Sequence, residues 1–94
     1  MNILEIFPLD TKIAENHLII GDCDTVELAG KFETPLYVFD EKTLRSKCRE
    51  YIKEFTSRYP DTMVNYAAKA FINREIARLL KEEGIGLDVV SGGE

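Results

Sequence analysis

The sequence predicts an α/β fold built on a parallel strand-helix-strand unit, and three patterns indicate it. An apolar run at 63–69 is followed by a helical pattern at 73–83 and then by a second buried-looking strand at 86–91. Two strands joined by a helix run parallel, with a right-handed crossover. The composition, 45% hydrophobic and 31% charged, is that of a globular protein, so disorder is not indicated.

The charge pattern indicates which partners to expect. Seventeen acidic and 12 basic residues give a net charge of −5. The densest basic group alternates with acids along a predicted helix, which is typical of a solvated face, so nucleic acid is not an expected partner. Its members are Lys42, Arg45, Lys47 and Arg49. The first six residues carry no positive region and no long apolar run, so neither a signal peptide nor a membrane span is predicted.

The cysteines and the single histidine give no metal or redox signal. Cys23 and Cys48 are far apart and form no C-x-x-C pattern. His17 has no cysteine or carboxylate at ligand spacing, so we interpret it as structural, and no metal site is predicted. We expect reduced thiols in a cytoplasmic protein.

The first third of the chain predicts short elements. Residues 1–16 show little periodicity, and we expect an irregular lead-in. Residues 17–20 are branched and apolar and precede Gly21-Asp22, a combination that predicts a short strand running into a turn.

A short helix and another strand should follow. Asp24 with Glu27 three residues later resembles a capping box, and the apolar spacing predicts a helix over 25–32. Pro35 ends that helix because the residue before a proline is disfavoured in helical conformation. The composition of 36–39 predicts a strand.

The longest helix should begin after Asp40 and end before Pro60. Asp40 is a suitable cap, and an apolar stripe with a period of 3.6 residues follows it. The stripe consists of Leu44, Cys48, Tyr51, Ile52 and Phe55. Cys48 lies inside this stripe, which favours a small core residue over a reactive thiol.

The strand at 63–69 ends in a lysine. Alternation places Val64, Tyr66 and Ala68 on one face and Lys69 on the other, with small and polar neighbours. Barrel enzymes place reactive groups at the carboxyl ends of such strands. Lys69 is therefore either an aldehyde-capturing amine, which partial burial would favour, or an ordinary solvated lysine.

The second half of the strand-helix-strand unit contains a signal for the end of the helix and an acidic residue in the following strand. Gly84 stands where a helix C-terminus places glycine, with Ile85 available to contact Leu80. Asp88, in an apolar strand, should face the lysine side. There it either favours a cationic partner or satisfies a structural contact, and both interpretations stay open.

The last residues are open to two interpretations. Ser91-Gly92-Gly93 could cradle a phosphate with backbone N–H groups, or could simply permit a tight turn into a helix. Glu94 is either a site residue or the first-turn acid of a following helix. Because one such unit cannot close a sheet, we expect the chain to be the front part of a larger protein.

Two stretches closely resemble the diaminopimelate decarboxylase family, pyridoxal-phosphate enzymes of the alanine-racemase-like barrel group. They are Tyr66-Ala67-Ala68-Lys69-Ala70-Phe71-Ile72-Asn73 and the run from Leu79 to Leu87-Asp88-Val89-Val90-Ser91-Gly92-Gly93-Glu94. Residues 17–21 and 34–40 are similar to that family's N-terminal segment.

The resemblance implies both a fold and a cofactor. Residues 1–39 would belong to a β-domain, and 40–94 would supply the first helix and the strand-helix-strand unit of an incomplete (β/α)8 TIM-type barrel. Lys69 would hold pyridoxal 5'-phosphate as an internal aldimine, with Asp88, Ser91 and Glu94 near the cofactor. The phosphate loop, the partner of the pyridine nitrogen and the substrate ligands would lie downstream, in a homodimer.

The resemblance also implies a substrate. The family decarboxylates meso-2,6-diaminopimelate to L-lysine, in lysine biosynthesis. The alternatives are an ornithine- or arginine-type decarboxylase of the same group and a non-enzymatic pyridoxal-phosphate homeostasis protein on the same barrel. The segment before the barrel favours a decarboxylase, and the ending Val89-Val90-Ser91-Gly92-Gly93-Glu94 favours diaminopimelate as the substrate. By itself the 94-residue chain is expected to be inactive.

Overall fold

A computed structural model describes residues 3–89, and its contacts divide the chain into two compact units, Met1–Leu44 and Arg45–Glu94. We describe each unit by itself. The elements in chain order are a 3-10 turn at Ile3–Ile6, β1 Lys12–Ala14, β2 His17–Ile20, β3 Cys23–Asp24, α1 Thr25–Phe32, α2 Glu41–Thr56, β4 Asn65–Ala67, α3 Arg74–Glu82 and β5 Gly86–Asp88. Within the described range, no helix has the length and apolar character needed to cross a membrane.

The first unit contains a small antiparallel sheet in the order β1-β2-β3. Ala14 pairs with His17, and Ile20 pairs with Cys23, so each connection is a two-residue loop. All four loop residues have positive φ angles, as two-residue hairpin loops of the favoured type require. They are Glu15, Asn16, Gly21 and Asp22.

The prediction of an irregular lead-in over 1–16 is wrong in part, because β1 pairs along its length with β2. The strand has only three residues, all exposed, and its loop begins with Glu15 in place of the usual asparagine or glycine. Neither hydrophobic alternation nor turn chemistry marks it in the sequence. The predicted strand at 17–20 and the turn after it are confirmed.

Asp24 joins β2 to the start of α1, and the predicted cap and helix are confirmed. Its Oδ1 accepts hydrogen bonds from the backbone N–H groups of Val26 at 2.8 Å and Glu27 at 3.4 Å. Its Oδ2 lies 2.6 Å from Nδ1 of His17, and this contact is the main cause that lowers the pKa of Asp24. His17 therefore has the structural role that its sequence context indicated.

The predicted strand at 36–39 is wrong, because no strand in the described residues pairs with it. Its side chains are exposed, up to 87% for Tyr37. Branched and aromatic residues favour an extended backbone. A sheet also needs a neighbouring strand, and composition does not supply one.

The start of α2 is anchored to the N-terminal segment, and the predicted cap at Asp40 is confirmed. Its Oδ2 accepts from the backbone N–H of Thr43 at 3.0 Å and from the Thr43 hydroxyl. The same hydroxyl oxygen accepts from the backbone N–H of Leu9 at 2.8 Å. Lys42 also pairs with Asp10. These contacts tie the residues before β1 to the first turn of α2.

The second unit contains a parallel pair, β4 and β5, and α3 packs against β5. Its buried apolar side chains are Cys48, Ala68, Leu79, Leu80 and Ile85. The placement of Cys48 in the core is therefore confirmed, and burial raises the pKa of its thiol. Two other members of the apolar stripe, Tyr51 and Phe55, remain exposed. Their rings stack on each other with centroids 6.4 Å apart.

The C-terminus of α3 closes as its sequence predicted. The backbone N–H of Ile85 donates to the carbonyl of Leu80 at 2.8 Å, and that of Gly84 donates to Lys81 at 3.1 Å. This is the double hydrogen bond of a Schellman motif, and Gly84 adopts the positive φ of 79° that the motif requires. The motif turns the chain from α3 directly into β5.

The prediction of a solvated basic face on α2 is wrong for Arg45, whose side chain is only 20% exposed, whereas Arg49 stays 70% exposed. Arg45 bonds Glu82 at 2.6 Å and Glu83 at 2.8 Å, and Arg49 bonds Glu83 at 2.7 Å. These partners lie at the C-terminal end of α3, more than thirty residues away.

Candidate functional site

The two parallel strands present one face of small and polar side chains. Asn65 pairs with Gly86, and Ala67 pairs with Asp88. Directly paired residues point to the same side of a sheet, so these four form one face, which we call the polar face. All but Gly86 are exposed. The opposite face carries half-buried Tyr66 and leads to buried Ala68.

Lys69 lies beyond the strand, and its predicted place as the last strand residue is wrong. β4 ends at Ala67, and the backbone N–H of Ala70 donates to the Ala67 carbonyl at 3.1 Å. This bond closes a β-turn with Ala68 and Lys69 at its centre. The turn follows the carboxyl end of the strand, where a parallel sheet of this kind places reactive groups.

The Lys69 side chain is exposed, and no ion pair or hydrogen bond engages it within residues 3–89. This exposure does not match the partial burial expected of a reactive amine. Asn65 and Ala67 precede Lys69 at alternate positions and are both exposed. The inward direction of this row stays a prediction.

Asp88 stands at the carboxyl end of β5 beside Ala67, on the polar face where the sequence placed it. Its side chain is exposed, and it forms no ion pair with Lys69 in the part of the chain that is described. Its backbone carbonyl accepts from the N–H of Ala68 at 3.0 Å, one residue before the lysine. The acid and the lysine thus belong to neighbouring strand ends without touching.

Sequence reasoning missed the contact between Asn65 and Gly86. A Cβ added to Gly86 would collide with Oδ1 of Asn65, so the amide occupies the space that the glycine leaves free. A polar residue in one strand and a glycine in the next were visible in the sequence. Their pairing required the register of the two strands.

Sequence reasoning also missed the role of the Tyr66 hydroxyl, which donates a 2.7 Å hydrogen bond to the Phe71 carbonyl. The bond spans the turn that carries Lys69. Two other predicted site residues, Ser91 and Glu94, lie outside the described residues, as does the whole predicted phosphate cradle at 91–93. Of the four predicted residues, the structure therefore describes Lys69 and Asp88, which follow or end neighbouring strands and do not pair with each other.

This arrangement suits capture of a small carbonyl compound. A primary amine lies on an exposed turn, small side chains leave space beside it, and a carboxylate lies at the end of the neighbouring strand. An amine of this kind attacks an aldehyde to form a covalent bond, and a nearby carboxylate stabilises the positive charge of the product.

Comparison with known proteins identifies the class. Residues 42–94, more than half of the chain, match the family described as pyridoxal-dependent decarboxylase, pyridoxal binding domain. The chain belongs to this family. The matched range contains Lys69, Asp88 and the whole β4-α3-β5 unit.

The similar proteins are consistently of one kind. A diaminopimelate decarboxylase of Methanothermobacter thermautotrophicus is 46% identical over 80 residues, and one of Bacillus methanolicus is 47% identical over 85 residues. These alignments cover 85% and 89% of this chain. The diaminopimelate decarboxylase of Mycobacterium leprae is 52% identical over 68 residues, or 72% of this chain.

The chain is much shorter than these relatives. It spans 19% of the Methanothermobacter protein, 20% of the Bacillus methanolicus protein and 14% of the Mycobacterium leprae protein. The matched part is in each case a small portion of the relative. The family resemblance that the sequence indicated is confirmed.

Proposed function

We propose that this chain is the N-terminal part of a decarboxylase that converts meso-2,6-diaminopimelate to L-lysine and carbon dioxide with pyridoxal 5'-phosphate. The observation that carries the proposal is the position of Lys69, exposed on a turn after the first parallel strand, inside the range that matches a pyridoxal binding domain. The relatives named as diaminopimelate decarboxylases support the choice of substrate.

In this proposal Lys69 holds the cofactor through Nζ. Asp88 lies at the neighbouring strand end and contributes negative charge next to the cofactor, and Ser91 and Glu94 complete this side of the site. When bound, pyridoxal phosphate supplies an electron sink for the pair that the departing carboxylate leaves behind. The residues present fit the group, because the Lys69 amine is accessible and the adjacent Ala67 leaves room for a ring.

The larger assembly is part of the same proposal. Residues 40–94 form the first helix and the first two strands of a (β/α)8 barrel, and 1–39 belong to a β-domain. Two findings support this division: the parallel β4-α3-β5 unit, and the antiparallel sheet at the start of the chain. The full-length protein works as a cytoplasmic homodimer in lysine biosynthesis.

Trapping the cofactor tests the site. The full-length protein is loaded with pyridoxal phosphate, reduced with borohydride and digested, and the label should appear on the 63–74 peptide. Lys69→Ala should abolish labelling, whereas Lys81→Ala, which changes an exposed lysine in the last turn of α3, should leave it intact. A label on any other lysine contradicts the assignment of Lys69.

Substrate competition tests the reaction. Diaminopimelate carries an amine and a carboxylate at its far end, and a site with charged partners for both would leave them unpaired when ornithine or arginine binds. The full-length holoenzyme should therefore give the largest kcat/KM with meso-diaminopimelate. A larger value for ornithine or arginine indicates the related decarboxylases, and no carbon dioxide from any of the three indicates a cofactor homeostasis protein.

A further inference from the structure

We infer that Tyr66 is a positioning residue for Lys69, acting through its hydroxyl on the turn that carries the lysine. The inference rests on the proposed function, since it concerns the lysine assigned there to the cofactor. Tyr66 itself lies on the face of β4 opposite the polar face.

The hydrogen bonds that hold the backbone around Lys69 include the following three. The N–H of Ala68 donates to the Asp88 carbonyl at 3.0 Å and fixes the start of the turn to β5. The N–H of Ala70 donates to Ala67 at 3.1 Å and closes the turn. The Tyr66 hydroxyl donates to the Phe71 carbonyl at 2.7 Å, just after the turn.

The Tyr66 bond differs from the other two because a side chain makes it. The first two bonds hold residues up to Ala70, and neither involves the segment that leaves the turn toward α3. The Tyr66 side chain extends from β4 to the Phe71 carbonyl in that segment. The hydroxyl therefore limits the movement of the chain on the far side of Lys69 and keeps the amine near the strand end.

The position of the amine matters because capture of an aldehyde depends on orientation. A reacting atom must lie within about 3–3.5 Å of its target, and a small displacement of the backbone lowers the fraction of productive encounters. Without the Tyr66 bond, the segment after the turn has one contact fewer, and Lys69 is presented over a wider range of positions. Loss of the tether should thus slow cofactor attachment more than it weakens the fold.

The matched variants are Tyr66→Phe and Tyr59→Phe in the full-length protein. Each removes one hydroxyl, and the Tyr59 side chain is exposed with no hydrogen bond among residues 3–89. The primary measurement is the rate constant for attachment of pyridoxal phosphate to the apoprotein, followed by absorbance. The second is deuterium exchange of the Ala70 amide, which reports on the turn without the cofactor.

We expect attachment to be about fivefold slower in Tyr66→Phe and unchanged in Tyr59→Phe. A fivefold change in rate corresponds to about 1 kcal/mol, the typical contribution of one hydrogen bond. The thermal midpoints of the two apoproteins should agree, and Ala70 should exchange faster only in Tyr66→Phe. Equal attachment rates in the two variants overturn the inference. A slower rate that accompanies a lower thermal midpoint also overturns it, because that result indicates a general loss of stability.

Failure of the proposed function gives a different result. If the wild-type protein does not attach the cofactor at Lys69, the proposed function is wrong, and there is no attachment rate to compare between the variants. Deuterium exchange then decides the structural part. Faster exchange at Ala70 in Tyr66→Phe alone supports the tether, and identical exchange in the two variants overturns it.

Discussion

Arg45 of α2 donates a 2.8 Å hydrogen bond from Nη1 to Oε2 of Glu83, immediately after α3. Arg49, one turn further along α2, bonds the other oxygen of the same carboxylate at 2.7 Å. The Glu83 side chain is only 8% exposed, so two guanidinium groups hold an acid that is largely shielded from water. The hydrogen bond from Arg49, and then that from Arg45, lowers the pKa of Glu83.

Replacement of Glu83 by Gln should make stability less dependent on pH. A carboxyl group whose pKa is lowered by folding stabilises the folded protein at pH values above 4.5, the ordinary pKa of a glutamate. This contribution is lost as the pH falls through the lowered pKa of the folded state. Glu83→Gln should therefore be less stable at pH 7, with a difference that shrinks below pH 4.5. Urea unfolding of the full-length protein at several pH values measures this.

The control for that experiment is Glu50→Gln. Glu50 pairs with Lys47 on the surface of α2 at 3.4 Å, and both side chains are at least 60% exposed. An exposed pair of this kind contributes little to stability. If Glu50→Gln and Glu83→Gln shift the urea midpoint equally at pH 7, the arginine pair does not stabilise the fold in the way the geometry indicates.

The same substitution at two glycines should have opposite effects. Gly30 lies inside α1, and a Cβ added there would have nothing within 4 Å, so Gly30→Ala should stabilise the protein by about 0.5–1 kcal/mol through helix propensity. Gly84 has a φ of 79° in the Schellman motif, so Gly84→Ala should destabilise it by about 1 kcal/mol or more. Denaturant midpoints of both variants measure this, and equal signs would contradict the assigned backbone roles.

Asn65 and Gly86 should be energetically coupled. Gly86→Ala places a methyl group against the Asn65 amide and forces that side chain to turn away, whereas Asn65→Ala removes the obstacle. The double variant should therefore lose less stability than the sum of the two single variants, with a coupling of about 0.5 kcal/mol or more. Additive effects in a double-mutant cycle on the full-length protein would show that the two side-chain positions do not interact.

The 94-residue chain expressed alone should release no carbon dioxide from meso-diaminopimelate. It spans about a fifth of the length of relatives such as the Methanothermobacter enzyme, and several of its large apolar side chains are exposed. Tyr37 is 87% exposed and Met63 is 78% exposed, so the chain should also bind a hydrophobic dye. A decarboxylation assay and dye fluorescence measure this, and turnover by the chain alone would show that the proposed site needs nothing further.

Local signals predicted the ends of the helices and one turn. Asp24 and Asp40 cap the helices that follow them, and Gly84 ends α3, because each acts on backbone groups within four residues. The loop Gly21-Asp22 reverses the chain for the same reason. The resemblance that identifies the family likewise depends on short runs around Lys69 and Asp88.

Tertiary structure decided the features that depend on distant partners. Arg45 and Arg49 bind Glu83, which lies more than thirty residues away in sequence. Residues 36–39 have the composition of a strand but belong to neither sheet in the described part of the chain. Lys69 lies in a turn because β4 stops pairing with β5 after Ala67. The sequence by itself determined backbone preferences, whereas pairing and charge partners follow from which segments meet in space.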